Sequence, residues 1–374
     1  MACLGGVKHP LSHPPPFGVC MDLLRALQVA SETRTASATA VLRRCGRCRP
    51  RGFTYPFGSP VSIERSHLPM FRSKEFYVAD KADGVRVCLV LTQTITGPLS
   101  VLIDRRGVAY EVPVTCDSAY FRDTVFDCEL VRLFKTQGTA THMLAVFDAA
   151  IIAGDTDVGR QHLSVRLQEI EGTFPRMDAG LLENPAFVVS NLPALVMVAK
   201  PMQKLDGLVQ PSGSRPYDTD GFILTPENDP APPPGIAMDV LKVKTSHTLD
   251  LLWVTNDLYL GSLDHLVSVT TLSSDQDVAI VVDTDSFRSA PPSSVVEVTP
   301  VVDVDEEGEG EGDGDGDNDD PDSPPKRRRI TLRFVKVRDD RSVPNHMRCV
   351  VSTLRSVLDC VGMVDVIASI NLCA

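Results

Sequence analysis

At 374 residues the chain is longer than one hydrophobic core usually serves, so two domains are expected, and its 43% apolar content is ample for packed interiors. No apolar run is long enough to cross a bilayer and no signal peptide is evident, which excludes a membrane role and points to a reducing, intracellular setting. The formal net charge of −12 argues against a uniformly basic nucleic-acid binder, but residues 303–322 alone carry twelve acidic residues and no basic one, so the rest sums to zero.

Residues 1–50 open on Pro/His/Gly-rich sequence, pass through a helix expected over Met21–Ala30, and end in Arg43-Arg44-Cys45-Gly46-Arg47-Cys48-Arg49. They read as an appended N-terminal arm. Of ten cysteines only Cys45 and Cys48 have Cys-x-x-Cys spacing, and without a second pair or nearby histidines they are assigned to ordinary thiols before zinc. Residues 51–245 are dominated by short apolar or alternating runs, with one helical stretch where Leu163, Leu167 and Ile170 recur. That pattern predicts an α+β domain built on antiparallel sheets.

From 246 to 374, strands are expected at Leu251–Thr255, Val267–Leu272, Val278–Val282 and Val295–Val302. An acidic Glu/Gly/Asp insert at 303–325 has nothing to bury and is expected to be disordered. The basic cluster Lys326-Arg327-Arg328-Arg329 behind it fits a nuclear-import signal, a partner for the acidic run, or an RNA-touching patch. A C-terminal helix carries Met347, Val350, Val351, Leu354, Val357, Leu358 and Val361 on one face.

Chemistry enters at Lys81-Ala82-Asp83-Gly84-Val85-Arg86, a tight strand-to-strand connection between the apolar runs 76–79 and 87–91. A lysine amine attacks only when neutral and its ordinary pKa is about 10.4, so the chemistry requires cationic neighbours or a metal. Asp83 and Arg86 can supply position and charge, and Gly84 lets the backbone turn or approach a ligand. Alone, the pattern is equally a charged hairpin turn. Further motifs follow in order: Leu102-Ile103-Asp104-Arg105, Phe126-Asp127-Cys128-Glu129-Leu130-Val131, and Val146-Phe147-Asp148-Ala149. Beyond them lie Asp220-Gly221-Phe222-Ile223, Leu241-Lys242-Val243-Lys244 with Thr248-Leu249-Asp250 behind it, and Arg338-Asp339-Asp340-Arg341.

In this order the motifs resemble those of the covalent nucleotidyltransferases, the superfamily of mRNA capping guanylyltransferases and polynucleotide ligases, across residues 53–361. Phe57-Gly58-Ser59-Pro60-Val61-Ser62 and Pro344-Asn345-His346 resemble flanks found in capping enzymes and usually missing from ligases. The resemblance is nearest to compact guanylyltransferases of large DNA viruses. It implies a nucleotidyltransferase domain followed by an OB-fold domain. Lys81 would attack the α-phosphate of GTP, expel pyrophosphate, and carry GMP to a 5′-diphosphate RNA end. Lys242 and Lys244, alternating on a strand, would share a face at the α-phosphate.

The resemblance also distributes the remaining roles. Glu129 and Asp220 would hold Mg2+ or Mn2+, with Arg86, Arg105 and Glu129 on the sugar side and Phe147 stacked on the purine. Ser62 and Lys200 are the candidates for guanine's O6, and Asp83, Gly84 and Asp250 complete the nucleotide-binding set. Arg338, Asp340 and Arg341 would reach the β- and γ-phosphates on domain closure, and RNA would be held through its phosphates. RNA triphosphatase and cap methyltransferase activities are expected on separate proteins, and the nucleus, a host's if the source is viral, is the expected location. Three positions depart from the family pattern: Arg341 replaces a lysine, Cys128 a glycine and Val243 an aromatic. An ATP-dependent polynucleotide ligase and a non-catalytic RNA-binding relative stay open as alternatives.

Overall fold

The computed structural model describes residues 20, 22–24, 26–44, 46, 53–137, 140–174, 188–189, 195–205, 215–228, 230–244, 246–262, 265–274, 278–304, 328–338 and 342–371. Two compact units emerge, Met1–Val61 with Met70–Lys242, and Ser62–Pro69 with Val243–Ala374. Both mix strands and helices, as an α+β fold requires. No helix among the described residues is long and apolar enough to cross a membrane.

The first unit begins with helical residues at Cys20, 22–24 and Ala26, and with helix α1 (Glu32–Arg44). Strands follow in chain order: β1 (Gly58–Ser62), β2 (Phe76–Ala82), β3 (Val85–Thr94), β4 (Gly97–Asp104), β5 (Ala109–Glu111), β6 (Val114–Thr115), β7 (Thr124–Gln137) and β8 (Ala140–Ile151). After helix α2 (Leu163–Thr173) come β9 (Val188–Val189), β10 (Leu195–Ala199), β11 (Gln203–Lys204), β12 (Thr219–Pro226) and β13 (Gly235–Lys244). One sheet runs β1-β13-β12-β2-β11 and another β10-β8-β7-β3-β4-β5, while β6 and β9 pair separately. Within the six-stranded sheet β8 and β10 are parallel and the other pairings antiparallel.

The six-stranded sheet is covered on both faces, which is why β3 reads as an unbroken buried run from Val87 to Thr92 instead of an alternating one. Val87, Leu89 and Leu91 join Phe126, Leu130 and Leu144 on one side. Cys88 and Val90 join Val101, Ile103 and Val125 on the other. The stretch expected to be an appended arm supplies both covers: Cys20, Leu24 and Leu27 on the first face, and Ala38, Val41 and Leu42 of α1 on the second. Each leucine buried this way stabilises the unit by about 1.5–3 kcal/mol. Val29 bridges Tyr110 where a helix to Ala30 was expected, and Ala30 N–H donates to Ala109 O at 2.9 Å.

The second unit holds β14 (Leu249–Val254), β15 (Asp257–Ser262), β16 (His265–Ser268), β17 (Val278–Val282), β18 (Ser294–Val304) and β19 (Arg328–Val337), then α3 (Met347–Asp359) and α4 (Met363–Asn371). Its sheet runs β16-β15-β14-β18-β19-β17, with β17 and β19 parallel and the other pairings antiparallel. Expectation and structure differ at Val267–Leu272, where the strand stops at Ser268 and a 3-10 turn covers Val269–Ser274. The expected C-terminal helix ends at Asp359, because Cys360 takes a left-handed φ of 48°, and α4 follows. Asp303 and Val304, expected within the insert, extend β18 and pair with Arg329 and Arg328. The remainder, 305–325, lies outside the described residues, as do Cys45, Cys48, Lys326 and Arg327.

Candidate active site

Lys81 is the penultimate residue of β2, and the chain turns through Asp83-Gly84 into β3. The expected tight strand-to-strand connection is present, but the two strands belong to different sheets, so it is a crossing with the lysine at its edge and not the hairpin of the alternative reading. Gly84, expected to let the backbone turn or approach a ligand, has a steric reason at the turn itself. A Cβ there would collide with the carbonyl oxygen of Leu130 and stand 3.0 Å from Glu129 Cγ, so only glycine lets β3 enter beside β7.

Opposite the lysine, β12 carries a bulge: Thr219 pairs with Ala82 and Phe222 with Asp80, leaving Asp220 and Gly221 together across from Lys81. Gly221 takes a φ of 140° there, a conformation that side chains rarely adopt. The bulge delivers Asp220 Oδ1 to 2.6 Å from Lys81 Nζ, with the two side chains 24% and 27% exposed. One face of the turn is thus a salt bridge that solvent still reaches.

A second bulge places Phe147. On β7 and β8, Asp127 pairs with Asp148 and Cys128 with Val146, so Phe147 is left unpaired between them. It is half-buried while its neighbours 142–146 and 148–150 are buried. Two cations face the ring, Lys200 Nζ at 5.2 Å and the Arg86 guanidinium at 5.6 Å from its centroid. Lys200 follows the last residue of β10, its N–H donating to Val146 O at 2.7 Å, so the parallel strand carries it to the bulge. Arg86 stands directly across from Glu129 on β7.

Burial pushes the Glu129 carboxyl up to about 6, against the pull of Lys200, Arg86 and Lys81. Burial lowers the Lys200 amine, opposed first by Glu129. Neither side chain forms a hydrogen bond or an ion pair among the described residues. Lys200 is buried and Glu129 half-buried, and charges placed so suit a polar or charged ligand.

Of the other expected site residues, Arg105 belongs with this cluster, the pKa of its guanidinium lowered by desolvation and by Arg86 against the pull of Tyr55, Glu129 and Asp127. The residue as a whole is exposed, and its Nη2 donates to Ser59 Oγ at 2.6 Å. Ser62 is buried at the end of β1, and Asp83 N–H donates to Asp218 O at 2.8 Å. Lys242 and Lys244 alternate on β13, which β12 separates from β2, a spacing of roughly 10 Å between strands.

In the second unit Asp250 grips Arg338 at 2.5 Å, with Glu297 at 3.6 Å from the same nitrogen. Asn345 ties β14 by two bonds to the Asp250 backbone, at 2.7 and 2.8 Å, and its carbonyl accepts from Gly261 N at 3.0 Å. Asp340 and Arg341 lie outside the described residues.

A family model of the mRNA capping enzyme catalytic domain matches residues 24–246. The chain belongs to that family. It is 32% identical over 124 residues to the mRNA-capping enzyme subunit alpha of Neurospora crassa, covering 30% of this chain and 31% of that protein. The Schizosaccharomyces pombe protein of the same name is 32% identical over 112 residues, 27% of this chain and 28% of that one. The chain thus spans about a third of the length of the curated relatives it matches. Among solved structures, the bacteriophage T7 ATP-dependent DNA ligase with ATP aligns at 11% identity and a TM-score of 0.34, covering 75% of this chain and 98% of that one.

The capping-enzyme match starts at residue 24, inside the stretch expected to be an arm and consistent with its place in the core. Within the family region two residues escaped the sequence reading, Asp127 and Tyr55. Asp127, 1% exposed, accepts from Arg86 Nε and from the Tyr55 hydroxyl, each at 3.0 Å. The signal for Asp127 was present, since i and i+2 on a strand share a face and Glu129 is two residues on. Tyr55 lies in a loop and carried none.

Proposed function

We propose that the chain is an mRNA guanylyltransferase that transfers GMP from GTP, through lysyl-GMP on Lys81, to the 5′-diphosphate end of RNA. One observation carries the reading: Lys81, paired to a bulge carboxylate, lies in the same unit as an aromatic ring flanked by two cations, in a chain of the capping-enzyme family. In the first step the Lys81 nitrogen bonds to the α-phosphorus as the bond to pyrophosphate breaks. Asp220, 2.6 Å away, is the acceptor in place for the proton the nitrogen gives up. In the second, an RNA diphosphate oxygen displaces the lysine, which takes a proton back.

Phe147 would stack on guanine, with Lys200 donating to its O6 and Arg86 and Glu129 meeting the sugar side. The donor set suits a divalent ion of the magnesium type, which takes one or two protein carboxylates and completes its shell with phosphate and water. Glu129 and Asp220 would hold it, and no group of three metal-ligating side chains occurs among the described residues. When bound, the ion would neutralise phosphate charge. Arg105 would join the sugar side, and Lys242, Lys244, Arg338, Asp340 and Arg341 would supply the phosphate contacts. We read the sheet of the second unit as the OB-fold partner domain, and supply of a diphosphate end requires a phosphohydrolase acting earlier.

The test is covalent labelling. Incubation with α-labelled GTP and magnesium should place acid-labile, alkali-stable label on the chain, as a phosphoramidate requires, and Lys81→Ala should abolish it. Label from ATP in place of GTP would replace this reading with that of a ligase.

A further inference from the structure

Arg86 and Arg166 are both held by aspartates that face each other across β7 and β8, yet the two pairs differ. Arg166 Nε donates to Asp148 Oδ1 at 2.7 Å, and its side chain is 0% exposed. Arg86 makes a two-pronged bond to Asp127, through Nε at 3.0 Å and through Nη2, yet keeps 14% of its side chain exposed. The first is a closed structural lock. The second holds one edge of a guanidinium and leaves part of that side chain open.

Three restraints converge on the Arg86 head group. Asp127 fixes its plane, because a carboxylate matches the guanidinium fork in only one orientation. The Tyr55 ring lies 5.2 Å from the guanidinium carbon, and the Phe147 ring of the bulge 5.6 Å away, so the head group lies between two aromatics. The Tyr55 hydroxyl then donates to the Oδ1 that Nε also uses. Asp148, the other charge facing Asp127, is engaged by Arg166, so Arg86 and Tyr55 are what hold Asp127. Tyr55 comes from the loop before β1, Asp127 from β7 and Arg86 from β3, so the assembly forms only when the unit is folded.

We infer that Tyr55 and Asp127 are positioning residues that set nucleotide affinity by holding Arg86 rigid beside Phe147, an inference that rests on the nucleotidyl-transfer reading for the identity of the ligand. They touch no phosphate themselves. A preset arginine loses little rotamer freedom on binding, so its benefit appears in affinity and leaves the chemical step alone.

The experiment measures GTP dissociation constants by calorimetry on the full chain, together with kcat and KM for lysine labelling. Tyr55→Phe keeps the ring and removes one hydroxyl, and Asp127→Asn keeps the shape and removes the matched acceptor. Loss of one bond to a charged group is worth on the order of tenfold. Asp127→Asn should therefore weaken GTP about tenfold and Tyr55→Phe about threefold, with kcat within about twofold and the Tm of Tyr55→Phe within a few degrees of wild type.

In an Arg86→Lys background, where no fork remains to be held, the Tyr55→Phe effect should fall below about twofold. Wild-type GTP affinity in both single variants overturns the inference, as does a Tyr55→Phe effect undiminished by Arg86→Lys. Should Asp127→Asn fail to fold, the Tyr55→Phe series decides alone. A wild-type chain that binds GTP but takes no label sinks the transfer reading and leaves the affinity cycle to judge this one. A chain that binds no GTP sinks both.

Discussion

The charge clusters around Lys81 and around Arg338 are made of the same residue types and arranged to opposite effect. Arg338 is enclosed by Asp250 and Glu297, and Lys336 reaches Glu297 at 3.2 Å, so cations and carboxylates interlock across three strands. Around Lys81 the charges remain open: the side chains of Glu129 and Lys200 make no hydrogen bond to another described residue, and the Lys81–Asp220 pair is a quarter exposed. A closed network of this kind contributes stability. An open one holds charges that a phosphate, a sugar or a cation could complete, which is the difference between a frame and a site.

That contrast can be broken by mutation, and the largest effect should come from the closed side. Asp250→Asn leaves Arg338 short of its principal partner and should cost about 3 kcal/mol of unfolding free energy, read by denaturant titration. Next is pH. The Glu129 carboxyl rises from 4.5 to about 6 in the folded chain, so the native state binds the extra proton across that window. Its contribution is complete below pH 4.5 and lost as pH climbs through 6, roughly 2 kcal/mol in all, and Glu129→Gln should flatten that slope. GTP labelling should move the other way, gaining as the carboxylate ionises above about pH 6.

Smaller effects sharpen the comparison. Lys200→Met removes a largely desolvated ammonium that makes no side-chain hydrogen bond, so thermal stability should hold or rise while GTP affinity drops about tenfold and the preference over ATP shrinks. A variant with unchanged nucleotide selectivity would take Lys200 out of base recognition. Smallest in stability is Asp220→Asn, whose solvent-reached pair should be worth less than about 1 kcal/mol. Its labelling rate should nonetheless fall sharply. A large Tm loss without a labelling defect would make that pair part of the frame.

Much of this was legible from the chain because apolar periodicity and motif order survive in sequence. Leu163, Leu167 and Ile170 are buried on α2, and β17 spans Val278–Val282 as expected. What escaped depends on pairing. Lys81 and Arg86 are five residues apart, but nothing local says that β2 and β3 join different sheets. Neither bulge is visible either, although Gly221 after Asp220 hints at one. Helix α1 was missed because only Ala38, Val41 and Leu42 are buried in a stretch otherwise rich in threonine, serine and alanine. Strand β19 was masked by its basic start, which draws the eye to Arg328 and Arg329 as a signal and away from the buried Ile330 and Leu332 behind them.

Val304 sits opposite Arg328, so the backbone departs from the sheet and returns to it at the same rung. What intervenes can be lengthened, recharged or shortened to a tight turn while the ladder bonds on either side are kept. The arginines at its far edge are a different matter. Arg328 and Arg329 are laced between β17 and β18, so a transport receptor that reads an extended basic peptide would have to unzip an interior strand to reach them.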